Sequence, residues 1–183
     1  MPVISTRTTL ESHSVQTLKQ ESRITIRPAS LEDIDTLGDL WYHQRCYHEQ
    51  WDELYETAIS GQQKWKEYII SCLSQSNQLV LVAEDDQKKI IGYIHGSFYP
   101  WPFSPFEIYG SLNTIAISPE AQGQGTGKKL VQKLLNWFKE QKIQHISVHV
   151  DYRNEGALHL YKNTGFRSYQ HRLMLNLENS AVL

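Results

Sequence analysis

The sequence has few cysteines, no long hydrophobic run and no excess of charge of either sign. Its 183 residues include only Cys46 and Cys72, too few for a disulfide framework, so we interpret both as free thiols of a reducing compartment. No apolar run approaches the ~18 residues of a membrane span, so we expect a cytoplasmic protein with no membrane partner. The formal net charge of −2 leaves no basic surface for nucleic acid, and we expect no such partner.

Hydrophobic periodicity divides the chain into an arm and one domain. Residues 1–22 are rich in Ser, Thr and Gln, lack periodicity and predict a flexible N-terminal arm. They have no apolar core like that of a secretory signal, and Glu11 and Glu21 are untypical of a mitochondrial presequence. Residues 23–183 suit a single compact domain.

Local patterns predict alternating strands and helices. Strands are expected at 23–27, 78–84, 89–96, 111–118, 144–150 and around 167–177. Helices are expected from Leu31, over 63–74, after residue 127 and over 155–163. Three prolines within 98–106 exclude a central strand and predict a loop there. Strand 111–118, the following helix and strand 144–150 form a parallel crossover.

A glycine-rich turn, QGQGTG, joins the strand and helix of this crossover at residues 122–127. Its glycine spacing does not fit G-x-G-x-x-G of dinucleotide-binding proteins, nor the loop G-x-x-x-x-G-K-[ST] of ATPases. Amides at a helix N-terminus still favour an anion such as a pyrophosphate. The alternative is a tight turn without a ligand, for which one glycine would suffice.

Two motifs in this order resemble the GNAT superfamily of N-acetyltransferases. Residues 122–127 fit Q/R-x-x-G-x-G/A, and residues 154–166 fit N-x-x-A-x-x-x-Y-x-x-x-G-F through Asn154, Ala157, Tyr161, Gly165 and Phe166. The resemblance covers about residues 23–177. It implies an α/β (α+β) GNAT fold: a mixed, mostly antiparallel twisted sheet of six to seven strands, flanked by helices and splayed at the coenzyme site.

The resemblance also implies acetyl-CoA as co-substrate, with no metal. By similarity, the backbone of Ile115, Ala116 and Ile117 would pair with the pantetheine arm. Asn154 matches a coenzyme-contacting asparagine of the family. The pyrophosphate would be held by the turn and the first amides of the helix, at Gln122, Gly123, Gln124, Gly125, Thr126, Gly127 and Lys128.

Two residues are candidates for catalysis. Tyr161 matches the tyrosine that protonates the departing thiolate, although a tyrosine at helical spacing also suits a packed aromatic. His149 stands where the ribosomal-protein N-terminal acetyltransferases have a glutamate base, and it could instead be a structural strand histidine. Histone-acetylating members carry their glutamate where this chain has Ser111, so their mechanism cannot be copied directly.

The acceptor lies outside both motifs. An aromatic and acidic segment, residues 41–56, falls where the family builds its acceptor wall. Its carboxylates could attract a cationic amine, or could simply form a solvated helix face. His43 and His48 are five residues apart, off the spacing of a metal site on a helix.

These features predict an N-acetyltransferase that transfers acetyl from acetyl-CoA to a primary amine of a small molecule, polyamine or peptide. Two alternatives stay open: a coenzyme-binding sensor or regulatory domain without turnover, and a non-catalytic interaction domain on the same scaffold. The sequence is compatible with a homodimer and does not fix an oligomeric state.

Overall fold

A computed structural model describes residues 23–175 and contains one five-stranded sheet flanked by helices within that range. The strands are β1 (Thr25–Pro28), β2 (Gln78–Glu84), β3 (Ile90–Pro100), β4 (Ile108–Ile117) and β5 (Ile146–Val148). The α-helices are α1 (Ile34–Glu49), α2 (Gly61–Leu73), α3 (Thr126–Glu140) and α4 (Glu155–Asn163). Neighbouring strands follow chain order and pair antiparallel, except that β4 and β5 are parallel. The mixed, mostly antiparallel sheet is thus confirmed.

Both faces of the sheet are covered, which explains the continuous apolar run of β2. Leu81 and Ala83 face the α3 side, whereas Val80 and Val82 face α1 and α2. The helix expected after residue 127 is confirmed as α3, and four of its apolar residues are fully buried: Leu130, Val131, Leu134 and Phe138. Each such side chain contributes roughly 1.5–3 kcal/mol by leaving water, so α3 is anchored firmly beside the central strands.

An ion-pair cluster joins the start of α1 to β1 and β2. Asp33 Oδ2 accepts from the Ser30 amide at 2.7 Å, as the expected helix start requires. The Arg27 guanidinium donates to both oxygens of Asp33 and to Glu84. Chiefly through the Arg27 hydrogen bonds, the pKa of Asp33 is lowered to about 2. Residues 31–33 form a 3₁₀ turn, so α1 itself begins at Ile34.

The described residues contain five strands, against about six to seven expected for the whole chain. Residues 167–175 form no strand, and residues 176 and 177 of the expected last strand lie outside the described range. Every residue from 167 to 175 is exposed, so the alternating apolar side chains of this segment have no sheet face to cover. The expected arm, residues 1–22, also lies outside the described range.

The proline-rich loop is shorter than predicted. Strand β3 continues to Pro100, whose Cα partner on β4 is Ile108. Proline is tolerated there because it ends the strand, where a missing N–H does not interrupt the ladder. The hairpin is closed beyond it by the Trp101 amide, which donates to Glu107 O at 2.6 Å. Residues 101–107 form the loop.

Strands β4 and β5 separate soon after they meet. They pair only where Gly110–Leu112 face Ile146–Val148, although β4 continues to Ile117. A bulge at Asn113 lies at the point of separation, since Gly96 faces Leu112 and His95 faces Thr114. The expected splay is therefore present. We call the opening between residues 113–117 and the chain that follows β5 the wedge.

Candidate active site

One wall of the wedge is the backbone of β4. Alternate residues of an antiparallel strand direct their backbone groups to opposite sides. The Ser118 amide donates to Ile91 O at 2.9 Å, so Ser118 faces β3. Ala116, two residues earlier, faces β3 as well. Ile115 and Ile117 therefore direct their N–H and C=O groups into the wedge.

Two glutamine side chains contact these wedge-facing carbonyls. Gln44 Nε2, from α1, donates to Ile115 O at 2.6 Å. Gln122 Nε2, from the glycine turn, donates to Ile117 O at 3.3 Å. Helix α1 therefore reaches the wedge, and the glycine turn lies at the end of the wedge where β4 stops.

Each glycine of the turn has a reason within the fold. Gly123 and Gly125 have φ of 73° and 82°, the left-handed region that side chains disfavour. A Cβ on Gly127 would lie 3.2 Å from the side chain of Leu160 on α4. Our expectation that a plain turn needs only one glycine was wrong, and the glycine count alone does not imply a ligand.

The amides of this turn are nonetheless arranged for an anion. Helix α3 begins at Thr126, and the Lys129 amide donates to Gly125 O. Amides that precede Lys129 have no acceptor within the helix, because the first N–H groups of any α-helix lack one. The helix dipole adds partial positive charge at the same end. Gly123 to Gly125 and Lys128 are exposed, so an anion can approach them.

Asn154 begins α4 across the wedge. Its Oδ1 accepts from the Ala157 amide at 3.0 Å and caps the helix. Because Oδ1 is used in this way, the other end of the amide, Nδ2, is directed outward, and it lies 3.4 Å from His48 Nε2. The predicted coenzyme-contacting asparagine is thus also a helix cap.

Tyr161 lies on α4, and its side chain is 6% exposed. Its ring packs edge-on against Phe166, with 5.6 Å between centroids, and belongs to the core on the α3 side. Burial raises the pKa of Tyr161 well above its usual value of 10, which keeps the phenol protonated. The structure is therefore compatible with both interpretations of Tyr161, because a packed aromatic side chain can also retain a proton to donate.

His149 lies just beyond the end of β5 rather than on a strand, which ends at Val148. The side chain is exposed, whereas Val148 and Val150 pack against the α3-side core. The predicted strand 144–150 was too long, because β5 pairs with β4 over three residues only. An exposed imidazole between two inward-facing valines is accessible to a solute.

Asp151 is held in its charged form. Arg153 binds it through Nε–Oδ1 at 2.8 Å and Nη2–Oδ2 at 2.7 Å. The Tyr55 hydroxyl donates to Asp151 Oδ2 at 2.9 Å. These contacts, chiefly those of Arg153, hold the pKa of Asp151 far below its usual range. Asp151 is therefore a structural anion and a poor proton acceptor.

His48 is a site residue that the sequence interpretation placed in the acceptor wall and weighed individually only as a metal ligand. It is half-buried and stacks on Trp51, with ring centroids 4.8 Å apart. Tyr55 packs edge-on against the same ring, with 5.3 Å between ring centroids. Burial, followed by the charge of Arg45, lowers the pKa of His48. Its spacing of four residues from Gln44 was the available signal, because such residues share a helix face.

Two of the carboxylates in segment 41–56 have structural roles. Glu49 Oε1 accepts from the Thr57 amide at 3.1 Å. Asp52 Oδ1 accepts from the Leu54 amide and begins a 3₁₀ turn at residues 53–55. Glu53 and Glu56 are exposed. Within residues 23–175, no three His, Cys, Asp or Glu side chains cluster closely enough to hold a metal ion.

No helix between residues 23 and 175 is both long and apolar enough to cross a membrane. Cys46 is exposed and Cys72 is buried, and both are free thiols.

A family model described as the acetyltransferase (GNAT) family matches residues 40–166, more than half of the chain. The matched range contains β4, the glycine turn, Asn154 and Tyr161. It also includes α1 from Leu40 onward, and therefore both Gln44 and His48.

Two relatives with assigned activities are similar to parts of the chain. The mycothiol acetyltransferase of Rhodococcus jostii (strain RHA1) is 30% identical over 91 residues, which cover 50% of this chain and 29% of that protein. The spermidine N(1)-acetyltransferase of Vibrio cholerae serotype O1 is 27% identical over 154 residues, or 79% of each protein. The chain thus spans less than a third of the length of the first relative.

A crystal structure of a predicted acetyltransferase from Clostridium acetobutylicum, solved with acetyl-CoA, has the same fold. Its TM-score is 0.69 at 21% identity, and the match covers 87% of this chain and 100% of that one. At this identity the likeness concerns the fold and not the substrate.

Proposed function

We propose that this chain, which belongs to the acetyltransferase (GNAT) family, transfers an acetyl group from acetyl-CoA to a primary amine. The observation that carries the proposal is the wedge. Backbone groups of β4 line one side of the wedge, and the free amides at the start of α3 lie at one end. Helix α4, with its cap Asn154 and with Tyr161, lies across the opening.

The residues present fit the coenzyme. An extended arm with amide groups can pair with the N–H groups of Ile115 and Ile117, as an added strand would. It can also pair with their C=O groups, because each carbonyl oxygen keeps a second lone pair beside the glutamine contact. The backbone groups of Ala116 face β3, so Ala116 does not pair with the arm and only separates the two residues that do. The amides of Gly123 to Lys128, together with the helix dipole, suit a pyrophosphate. Asn154 stands at the opposite flank.

Acetyl-CoA supplies a thioester, whose acetyl carbon an amine can attack. In this proposal Tyr161 donates a hydrogen bond to the departing sulfur, because its phenol stays protonated at physiological pH. Its raised pKa makes complete proton transfer less favourable than from an ordinary phenol. Tyr161 therefore stabilises the thiolate mainly as a donor inside the protein.

The amine must lose a proton before or during attack. His149 is the accessible group we propose for this role, directly or through a water molecule. Asp151 is unsuited, since both of its carboxylate oxygens are engaged by Arg153 and Tyr55. The exposed carboxylates of Glu53 and Glu56 favour a cationic acceptor, and spermidine is the first to test because it is named in the Vibrio cholerae relative.

Steady-state release of free coenzyme A thiol tests the proposal. The protein would be incubated with acetyl-CoA and a panel containing spermidine, lysine, a short peptide and a small aromatic amine. We expect acceptor-dependent release with at least one primary amine. Tight binding of acetyl-CoA without thiol release would instead identify a sensor or regulatory domain, and absence of binding would identify an interaction domain.

A further inference from the structure

One face of α1 contacts both flanks of the wedge. Gln44 and His48 are four residues apart and therefore lie on the same side of the helix. Gln44 contacts Ile115 O on β4, and His48 contacts Asn154 at the start of α4. These two contacts link α1 to positions 71 and 106 residues further along the chain. Helix α1 thus bridges the two walls between which the coenzyme is proposed to bind.

The chemistry of the Asn154 amide fixes the tautomer of His48. Asn154 Oδ1 accepts from the Ala157 amide, and only an oxygen can do so. Nδ2, which can only donate, is therefore the atom that lies 3.4 Å from His48 Nε2. Nε2 must then carry a lone pair, and the proton of the neutral ring lies on Nδ1.

Neighbouring aromatic rings hold His48 in this orientation. Trp51 stacks on it and Tyr55 packs against it edge-on. Tyr55 is itself fixed by its hydrogen bond to Asp151, and Arg153 donates to the carbonyl oxygen of Trp51. The position of His48 is thus determined by contacts that span α1, the 3₁₀ turn after it and the segment between β5 and α4.

We infer that His48 is a positioning residue: its unprotonated Nε2 holds the side chain of Asn154 in place, and protonation of the ring releases it. The consequence for coenzyme binding rests on the proposed function, because it requires that Asn154 contacts the coenzyme. The tautomer and the contact with Asn154 do not depend on that function.

Protonation of His48 would place an Nε2–H group against the Nδ2–H groups of Asn154, so two donors would face each other. Burial and the Arg45 charge lower the pKa of His48, so the neutral form is present at neutral pH. It is lost as the pH falls through this lowered pKa. The charged and titratable groups around the ring are Arg45, Tyr47, Tyr55 and Asp151, and behind them Arg153 and Asp52 lie near Tyr55.

The first test is the tautomer in the unmodified protein. Nitrogen-15 NMR of the histidine rings distinguishes Nδ1–H from Nε2–H, and the His48→Gln variant identifies the His48 signals by their absence. We expect the Nδ1–H tautomer at about pH 8. An Nε2–H tautomer would overturn the inference whether or not the protein is an enzyme.

The second test compares two substitutions of His48, one that keeps an aromatic ring and one that keeps a hydrogen-bond acceptor. His48→Phe keeps an aromatic ring between Trp51 and Tyr55 but has no acceptor for Asn154. His48→Gln can place an amide oxygen near the former Nε2 and does not titrate. His43→Gln is the matched control, since His43 lies on the same helix and is exposed.

Affinity for acetyl-CoA would be measured by calorimetry at about pH 8 and about pH 5. We expect His48→Phe to bind about three- to tenfold more weakly at the higher pH, as loss of one hydrogen bond predicts. His48→Gln and His43→Gln should bind like the unmodified protein there. Phosphates of the coenzyme also titrate near pH ~6, so the affinity of every variant should depend on pH. The contribution of His48 is the pH dependence that the unmodified protein and His43→Gln share and that His48→Gln lacks.

Unchanged affinity in His48→Phe at the higher pH, or an unchanged pH dependence in His48→Gln, would overturn the inference. Thermal unfolding of each variant shows whether it is folded, and the tautomer measurement decides the question if a variant is not. Failure of the unmodified protein to bind acetyl-CoA would instead contradict the proposed function and leave the tautomer result to judge the role of His48.

Discussion

Replacement of Gly125 by aspartate should weaken acetyl-CoA binding without unfolding the protein. Gly125 precedes the first residue of α3 and has φ of 82°, and a Cβ added to it would meet no atom within 4 Å outside its chain neighbours. A side chain therefore fits sterically, and the cost is backbone strain of about 1 kcal/mol in the left-handed region. Gly125→Asn imposes the same strain with nearly the same shape, so it serves as the matched control.

The difference between the two variants is one negative charge. If a phosphate binds at the amides of residues 123–128, the new carboxylate lies about 5 Å from it, and Coulomb repulsion is about 1–3 kcal/mol at effective dielectric constants between ~20 and ~80. That corresponds to roughly 5- to 150-fold weaker binding for Gly125→Asp than for Gly125→Asn. Salt should reduce the difference, because the turn is exposed.

Calorimetric titration with acetyl-CoA at low and high salt measures this difference, and thermal unfolding checks that both variants are folded. We expect similar melting temperatures for the pair and a clear loss of affinity in the aspartate variant alone. Equal affinities for Gly125→Asp and Gly125→Asn would refute the placement of the phosphates at the start of α3.

Three further predictions concern catalysis and stability. Tyr161→Phe keeps the packed ring and removes the hydrogen-bond donor to the developing thiolate, so turnover should fall by ~100-fold or more with little change in coenzyme affinity; wild-type turnover would exclude Tyr161 as the donor. His149→Gln should lower the rate near neutrality, because a glutamine side chain cannot accept the proton of the amine, whereas a wild-type rate would show a structural histidine. Arg27→Met should destabilise the fold by roughly 1–3 kcal/mol at neutral pH, measured by urea unfolding, because it leaves Asp33 buried without its main donor. Since the folded pKa of Asp33 is about 2 and the unfolded value is higher, the stability from this pair should be lost as the pH falls from about 4 towards 2; an unchanged acid profile in the variant would contradict this account.

Local sequence signals predicted the elements whose ends depend on local chemistry. Helix α4 has both expected ends, because Asn154 caps its start and Gly165 adopts a φ of 100° just beyond its end. Strand β2 also has its predicted bounds, since an apolar run between polar turns indicates a strand buried on both faces. In both cases the deciding interactions lie within a few residues.

Predictions failed where an element depends on distant partners. Alternation in residues 167–177 indicates how a strand would present its side chains, but a strand also needs an edge to pair with. Strand β3 continues as far as Pro100 because β4 lies opposite it up to Ile108, a pairing that composition does not reveal. Gly127 is explained by Leu160, a residue 33 positions later whose packing on α3 no local pattern encodes.

The candidate site shows the same limit. Motifs identified the glycine turn, Asn154 and Tyr161, because each is defined by short spacing along the chain. Gln44 and His48 reach the wedge only through the packing of α1 across the sheet, over separations of 71 and 106 residues. Periodicity could place them on one helix face, but it could not show what that face contacts.

The most direct test of the central claim is detection of the acetylated amine itself. Purified protein would be incubated with acetyl-CoA and spermidine or another primary amine, and the amine analysed by mass spectrometry, with Gly125→Asp and a protein-free sample as controls. We predict a protein-dependent acetylated amine that is strongly reduced with Gly125→Asp. An amine that stays unmodified across the whole acceptor panel, in a folded protein that binds acetyl-CoA, would contradict the assignment of this chain as an N-acetyltransferase.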